Sequence, residues 1–335
     1  MNRPPDRAPR GARGGAYARK HAPLGLLAGA DDGLYECIPG GRIERTIDGP
    51  RITSIDARND LALAGGVEGA WLHNGLRWRQ VSTDATTAVY VARDALYLGG
   101  ANGDLLRSTD EGDTWAPIPG TTGLTLAPGL GRPAGGLAVT GVLEVKAPSG
   151  RTMPESSGLV VSFEAAGVWF TPNNGATWLP RSDDIDAHVH RLYGHGDITD
   201  RLFVTTSTGL YRSTDEGHTW LRSLKDLDRS WGGSLAVLPG PTDALVLSLA
   251  RSGVDGVGVE GTLHRSMNAG LTWARVLLDG ADEWPRVPAV VRPHDLEDVT
   301  FVAAGTRLYA SHDRGKAWMP LAEGIPVANV LAASV

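Results

Sequence analysis

One cysteine in 335 residues, Cys37, excludes an intramolecular disulfide framework. Nothing in the cysteine usage therefore points to an oxidising compartment, and Cys37 is expected to be a small apolar filler. No apolar run approaches the length of a membrane-spanning helix, so membrane insertion is not expected. Basic residues are scarce once the first twenty positions are set aside. Those positions hold Arg3, Arg7, Arg10, Arg13, Arg19 and Lys20 against Asp6, which leaves 26 basic and 37 acidic residues, about −11, for the rest. A balance of that sign argues against a broad nucleic-acid-binding face.

The start of the chain mixes those charges with Pro and Gly and cannot bury a core. Residues 1–22 are read as a disordered basic tail and residues 23–335 as one folded domain. A positive segment followed by APLGLLAGA, Ala22 to Ala30, has the outline of a signal peptide, but Pro23, Gly25 and Gly29 interrupt its apolar part. The repeat below assigns Leu26 to Ala30 to a strand instead, and the chain is expected to be soluble and cytoplasmic, with no cofactor.

What is abundant is turn chemistry, 44 Gly and 21 Pro, which favours short strands. The strands recur around a box: STDEGDTW (108–115), TPNNGATW (171–178), STDEGHTW (213–220), SMNAGLTW (266–273) and SHDRGKAW (311–318). An aromatic or bulky residue stands two positions before each box, at Leu106, Trp169, Tyr211, His264 and Tyr309, and an apolar run precedes it. LALAGGVEGAW (61–71) and LLAGADDGLY (26–35) extend the frame upstream without boxes. There, Asn74-Gly75 fits a two-residue type I′ hairpin that pairs Trp71 with Trp78, and Pro39-Gly40-Gly41 makes the turn of the first unit. A further short strand precedes units two to seven: ITSIDA, TAVYVA, VLEVKA, HVHRLY, SLAVLP and PAVVRP. Unit one lacks it, and NVLAASV, Asn329 to Val335, supplies it from the other end of the chain. The fold class is therefore all-β: a seven-bladed β-propeller of four-stranded antiparallel blades, with the C-terminal strand completing blade one.

Physically the box is a turn. An Asp or Asn accepts backbone N–H groups, Gly supplies positive φ, and Trp returns into the outer strand. The five copies resemble the Asp-box, or BNR, repeats of sialidases, other glycosidases, sortilin-type receptors and photosystem II assembly factors. In that family the boxes lie away from the ligand site. The resemblance thus implies structural roles for Asp110, Trp115, Asn173, Trp178, Asp215, Trp220, Asn268, Trp273, Asp313 and Trp318, and a functional face opposite them.

That upper face receives the turns between second and third strands and the blade-to-blade connections. Three neighbouring connections are the richest. They carry Arg181, Asp183, Asp184, Asp186 and His188; then Asp228, Arg229 and Trp231; then Asp282, Glu283, Trp284 and Arg286. Arg251 joins them from a turn. Rings to stack on and charges to orient hydroxyls suit a protein partner or a small polar or carbohydrate ligand held by Trp231, Trp284, Arg181, Arg229 and Arg251. The reading is a non-catalytic binding scaffold; the alternative is a glycosidase-like or lyase-like enzyme using Asp183, Asp184, Asp186, Asp282, Glu283 and Arg286. PRVPAVV, Pro285 to Val291, resembles the Arg-Ile-Pro element of sialidases but stands in blade seven rather than blade one. His188 and His190, two apart on an inner strand, would share a face toward the channel as metal ligands, with His195 or His294 as a third. Gly120 to Gly136 would form a connection on the upper rim, and a lid in the enzyme reading.

Overall fold

The computed structural model describes residues 25–38, 41–124, 137–145, 158–196, 200–223, 227–253 and 258–333. The tail at 1–22 and most of the rim connection, 125–136, lie outside the described residues.

Seven antiparallel sheets form a ring, each running from an inner strand to an outer one. In blade two the order is Ile52–Arg58, Leu61–Gly66, Gly69–Asn74 and Trp78–Ser82; in blade five it is Val189–Gly194, Leu202–Thr206, Gly209–Ser213 and Leu221–Arg222. The second strands are buried along nearly their whole length because another blade covers each of their faces. The core therefore sits between blades. Tyr35 and Leu26 of blade one, for example, pack with Phe301 and Leu308 of blade seven.

Closure is as the sequence reading required. Val330–Ala333 pairs antiparallel with Leu26–Ala30, from Leu26 opposite Ala333 to Gly29 opposite Val330. This joins the two ends of the chain and covers the edge that the first three strands of blade one would otherwise leave open. Blade six departs from the repeat: Trp284–Arg286 adds a fifth strand against its third strand, with Gly261 opposite Trp284. The PRVP stretch thus begins as an edge strand rather than as the opening of an inner one.

The box turns are alike in all five blades. In the first, the Ser108 hydroxyl donates to Asp110 and accepts the Gly112 N–H, while Thr114 donates from its backbone and its hydroxyl to the Asp110 carboxylate. Those Thr114 contacts, with Ser108 behind them, hold the Asp110 carboxyl down at about 2. Each box Gly is left-handed and follows a second left-handed residue, as in Glu216 (φ 60°) and Gly217 (φ 84°). Three of the Trp side chains tie their blade to the preceding one. The indoles of Trp178, Trp220 and Trp273 donate to the carbonyls of Pro119, Arg181 and Ser223 at 2.8–2.9 Å.

The blade-two hairpin differs from the expected turn. Trp78 lies opposite His73, with ring centroids 5.3 Å apart, and Trp71 lies opposite Gln80. The loop spans four residues, Asn74 to Arg77; the Asn74 side chain accepts the Arg77 N–H and Gly75 takes φ 83°. Asn-Gly provides the positive φ without closing the tight two-residue form.

Candidate functional site

Alternation of strand direction puts the boxes and the first-to-second-strand turns on one face, and the second-to-third-strand turns and blade connections on the other. On this upper face the side chains singled out in blades six and seven converge, but as an ion network rather than as free acids. Arg229 is buried and donates to Asp228 at 2.7 Å and to Glu283 at 2.6 Å. The same Nη2 lies 3.7 Å from Glu260, whose carboxylate also takes Arg251 at 3.0 Å. Arg275 pairs with Asp228 and, at 3.6 Å, with Asp282. His264 sits beneath this network, and burial, with the Arg275 charge added, pulls its imidazole down to about 4.

Arg286 points away from these groups and reaches Asp31 of blade one at 3.0 Å. Asp31 is a hub, also holding Arg51 at 3.1 Å and the Asn329 amide at 3.0 Å. Burial works to raise its carboxyl, but the Asn329 hydrogen bond and the Arg286 and Arg51 charges outweigh it and keep the group below the usual carboxylate range. Trp284 is not a platform. It is buried in the cluster that contains Val290 and Tyr309, between blades six and seven.

The connection between blades four and five is separate. Asp183 and Asp184 are exposed in a turn, with Asp184 at φ 71°. Asp186 accepts the His188 N–H at 3.0 Å and pairs with its ring at 3.4 Å. Arg181 leaves the outer strand of blade four with its guanidinium over the Phe170 ring, 5.4 Å from the centroid.

The two histidines do not share the channel. His188 precedes the inner strand, and a bulge between Val189 and Arg191 shifts the alternation. His190 therefore turns outward, its Nδ1 against the Gly232 carbonyl at 2.7 Å and its ring 4.3 Å from that of Trp231. Burial lowers its pKa. Arg191 takes the channel position instead and donates to the carbonyls of Thr53 and Asn329 on the far side. His195 and His294 lie toward the other mouth, on Asp243 and Asp56. Among the described residues no group of three or more His, Cys, Asp or Glu side chains could hold a metal ion.

The channel itself is a cavity of about 210 Å³ lined by inner-strand residues including Asp56, Tyr90, Arg191, Arg292 and His294. Sequence reasoning missed its arginines. The available signal was a charge inside an otherwise apolar inner strand, as in HRLY and VVRP.

No protein-family profile matches the chain, and no curated protein sequence matches it. Solved structures do. A GH74 enzyme from Niastella koreensis superposes with a TM-score of 0.62 at 17% identity over 88% of this chain and 46% of its own. YCF48 bound to D1 peptide gives 0.51 at 14% identity over 85% and 89%, and the WD40 propeller domain of Doa1 gives 0.58 at 10% over 89% and 97%. At such identities the likeness is one of fold. The chain spans less than half the length of the GH74 enzymes it matches, and enzymes and binding scaffolds stand side by side among its structural neighbours. Among the described residues no helix is long and apolar enough to cross a membrane.

Proposed function

We propose that the chain is a non-catalytic binding propeller whose upper face, over blades five to seven, receives a segment of a protein partner. One observation carries this reading: the acids best placed for chemistry are already neutralised. Glu260 and Glu283 converge on the buried Arg229, whose guanidinium occupies the gap between them. A glycosidase needs that gap for the scissile bond and one carboxyl kept protonated, and an adjoining guanidinium favours the ionised form.

Beside the network stands a contact surface. Trp231 is half-buried and backed by His190, and Ser207, Thr208 and the exposed Val259 lie on neighbouring turns and edges. An aromatic anchor ringed by polar groups is the usual centre of a protein interface. That the fold serves peptide binding elsewhere, as in YCF48 bound to D1 peptide, supports the same assignment. The alternative is a glycosidase-like enzyme, and the assay separates the two. Wild type and Glu283→Gln are incubated with a panel of glycosides, and wild type is hybridised to a peptide array. The proposal expects no turnover by either protein and a set of bound peptides; hydrolysis by wild type that Glu283→Gln abolishes would establish an enzyme.

A further inference from the structure

The box face has a feature that the upper-face reading does not use. Where the inner strands end, the channel opens into a cavity of about 160 Å³ lined by Arg58, Arg201, Arg292, His195 and His294, with Glu144 as the one carboxylate among the described lining residues. We propose that this lower mouth is a binding site for a small oxyanion of the phosphate or carboxylate class.

Three carboxylates near this mouth hold partners of their own. Glu144 accepts the Tyr97 hydroxyl at 2.8 Å. Asp243, behind the lining, is buried and shared between Arg201 at 2.5 Å and His195 at 2.9 Å. Asp56 accepts the Val91 N–H at 2.7 Å and faces His294 at 3.1 Å. These three carboxylates are thus engaged, whereas Arg58 has no carboxylate within ion-pair distance among the described residues. Arg292 donates to the Leu296 carbonyl, and Gly196 leaves room for its guanidinium, since an added Cβ would stand 3.0 Å from Nη2. Tyr90, also in the lining, is pushed up to about 12, first by burial and then by the Asp56 and Glu144 charges, so it adds no negative charge.

In the described lining three guanidinium groups stand against the single Glu144 carboxylate, and the planar guanidinium fork matches phosphate and carboxylate oxygens. The space is far above the roughly 10–15 Å³ that admits one water. Entry is from the box face, because Arg191 spans the opposite end of the channel. The site is independent of the upper-face reading, and either can fail without the other.

The test is calorimetric titration of the full chain with sodium phosphate and, separately, sodium acetate, against sodium chloride of equal ionic strength. Saturable binding of one anion per chain is expected, weakened about tenfold or more by Arg58→Gln and by Arg292→Gln. Arg77→Ala, at an exposed hairpin arginine of blade two, should leave it unchanged. The melting temperature of wild type should rise with the binding anion and not with chloride, a readout that needs no variant. Preference for phosphate assigns a phosphoryl ligand, and preference for acetate a carboxylate. Absence of saturable binding by both anions, or equal binding by wild type and both folded glutamine variants, overturns the proposal.

Discussion

The indole Nε1 of Trp220, in blade five, donates to the backbone carbonyl of Arg181, at the end of blade four, over 2.8 Å. The Trp of one box thereby closes on the blade before it, and the repeat becomes a ring-building device as well as a turn. Trp115 and Trp318 hold the same position, yet among the described residues their buried Nε1 atoms have no partner.

The contrast gives a first prediction. Trp220→Phe should lower the unfolding free energy by about 1–2 kcal/mol, since it leaves the Arg181 carbonyl unpaired. Trp115→Phe removes an N–H with no partner and should cost less than half as much. Urea denaturation of the two variants beside wild type decides it; equal losses would show that the indole bond contributes nothing.

A second concerns acid. Hydrogen bonds from Thr114 hold Asp110 at about 2, against an ordinary value near 3.8. Asp215 and Asp313 are also depressed: at Asp215 burial opposes the Thr219 hydrogen bonds and loses, and at Asp313 the Ala317 N–H leads. Because the folded pKa is the lower one, these groups add stability above the unfolded value that is lost as pH falls from about 4 to about 2. Asn fills the same position in two boxes, at Asn173 and Asn268. The triple variant Asp110→Asn, Asp215→Asn, Asp313→Asn should therefore fold at neutral pH and show a flatter dependence of melting temperature on pH below 4; an unchanged slope would contradict the assignment.

Third, truncation before Val330 should abolish the cooperative transition or lower its midpoint severely. The strand lost pairs with Leu26 to Gly29 and carries four buried residues, Val330 to Ala333. The truncated chain should also self-associate through the exposed edge. A monomeric, cooperatively folding truncation would show that closure does not depend on this strand.

The ring, its seven blades and its closure were legible because each unit repeats a periodic strand pattern and a turn with its own chemistry. What was not legible depends on register or on distance along the chain. One bulged residue exchanges His190 for Arg191 in the channel; HVHRLY shows the charge inside an inner strand but not the bulge that turns it inward. The Asn74-Gly75 pair signals a turn but not whether two or four residues close it. Arg286 meets Asp31 only after the ring has closed, across 255 positions, and that pairing removes it from the candidate site it was assigned to. Trp284 reads as a ligand platform in the sequence because the fifth strand that buries it belongs, among the described residues, to blade six alone.

The upper-face reading is tested most directly by the affinity of one array-selected peptide for three proteins: wild type, Trp231→Ala and the box variant Asp215→Asn. Removing an anchor aromatic from the centre of an interface costs about 2 kcal/mol or more, so Trp231→Ala should weaken binding at least tenfold while Asp215→Asn matches wild type. Unchanged affinity in Trp231→Ala together with loss in Asp215→Asn would place the partner on the box face and contradict the account.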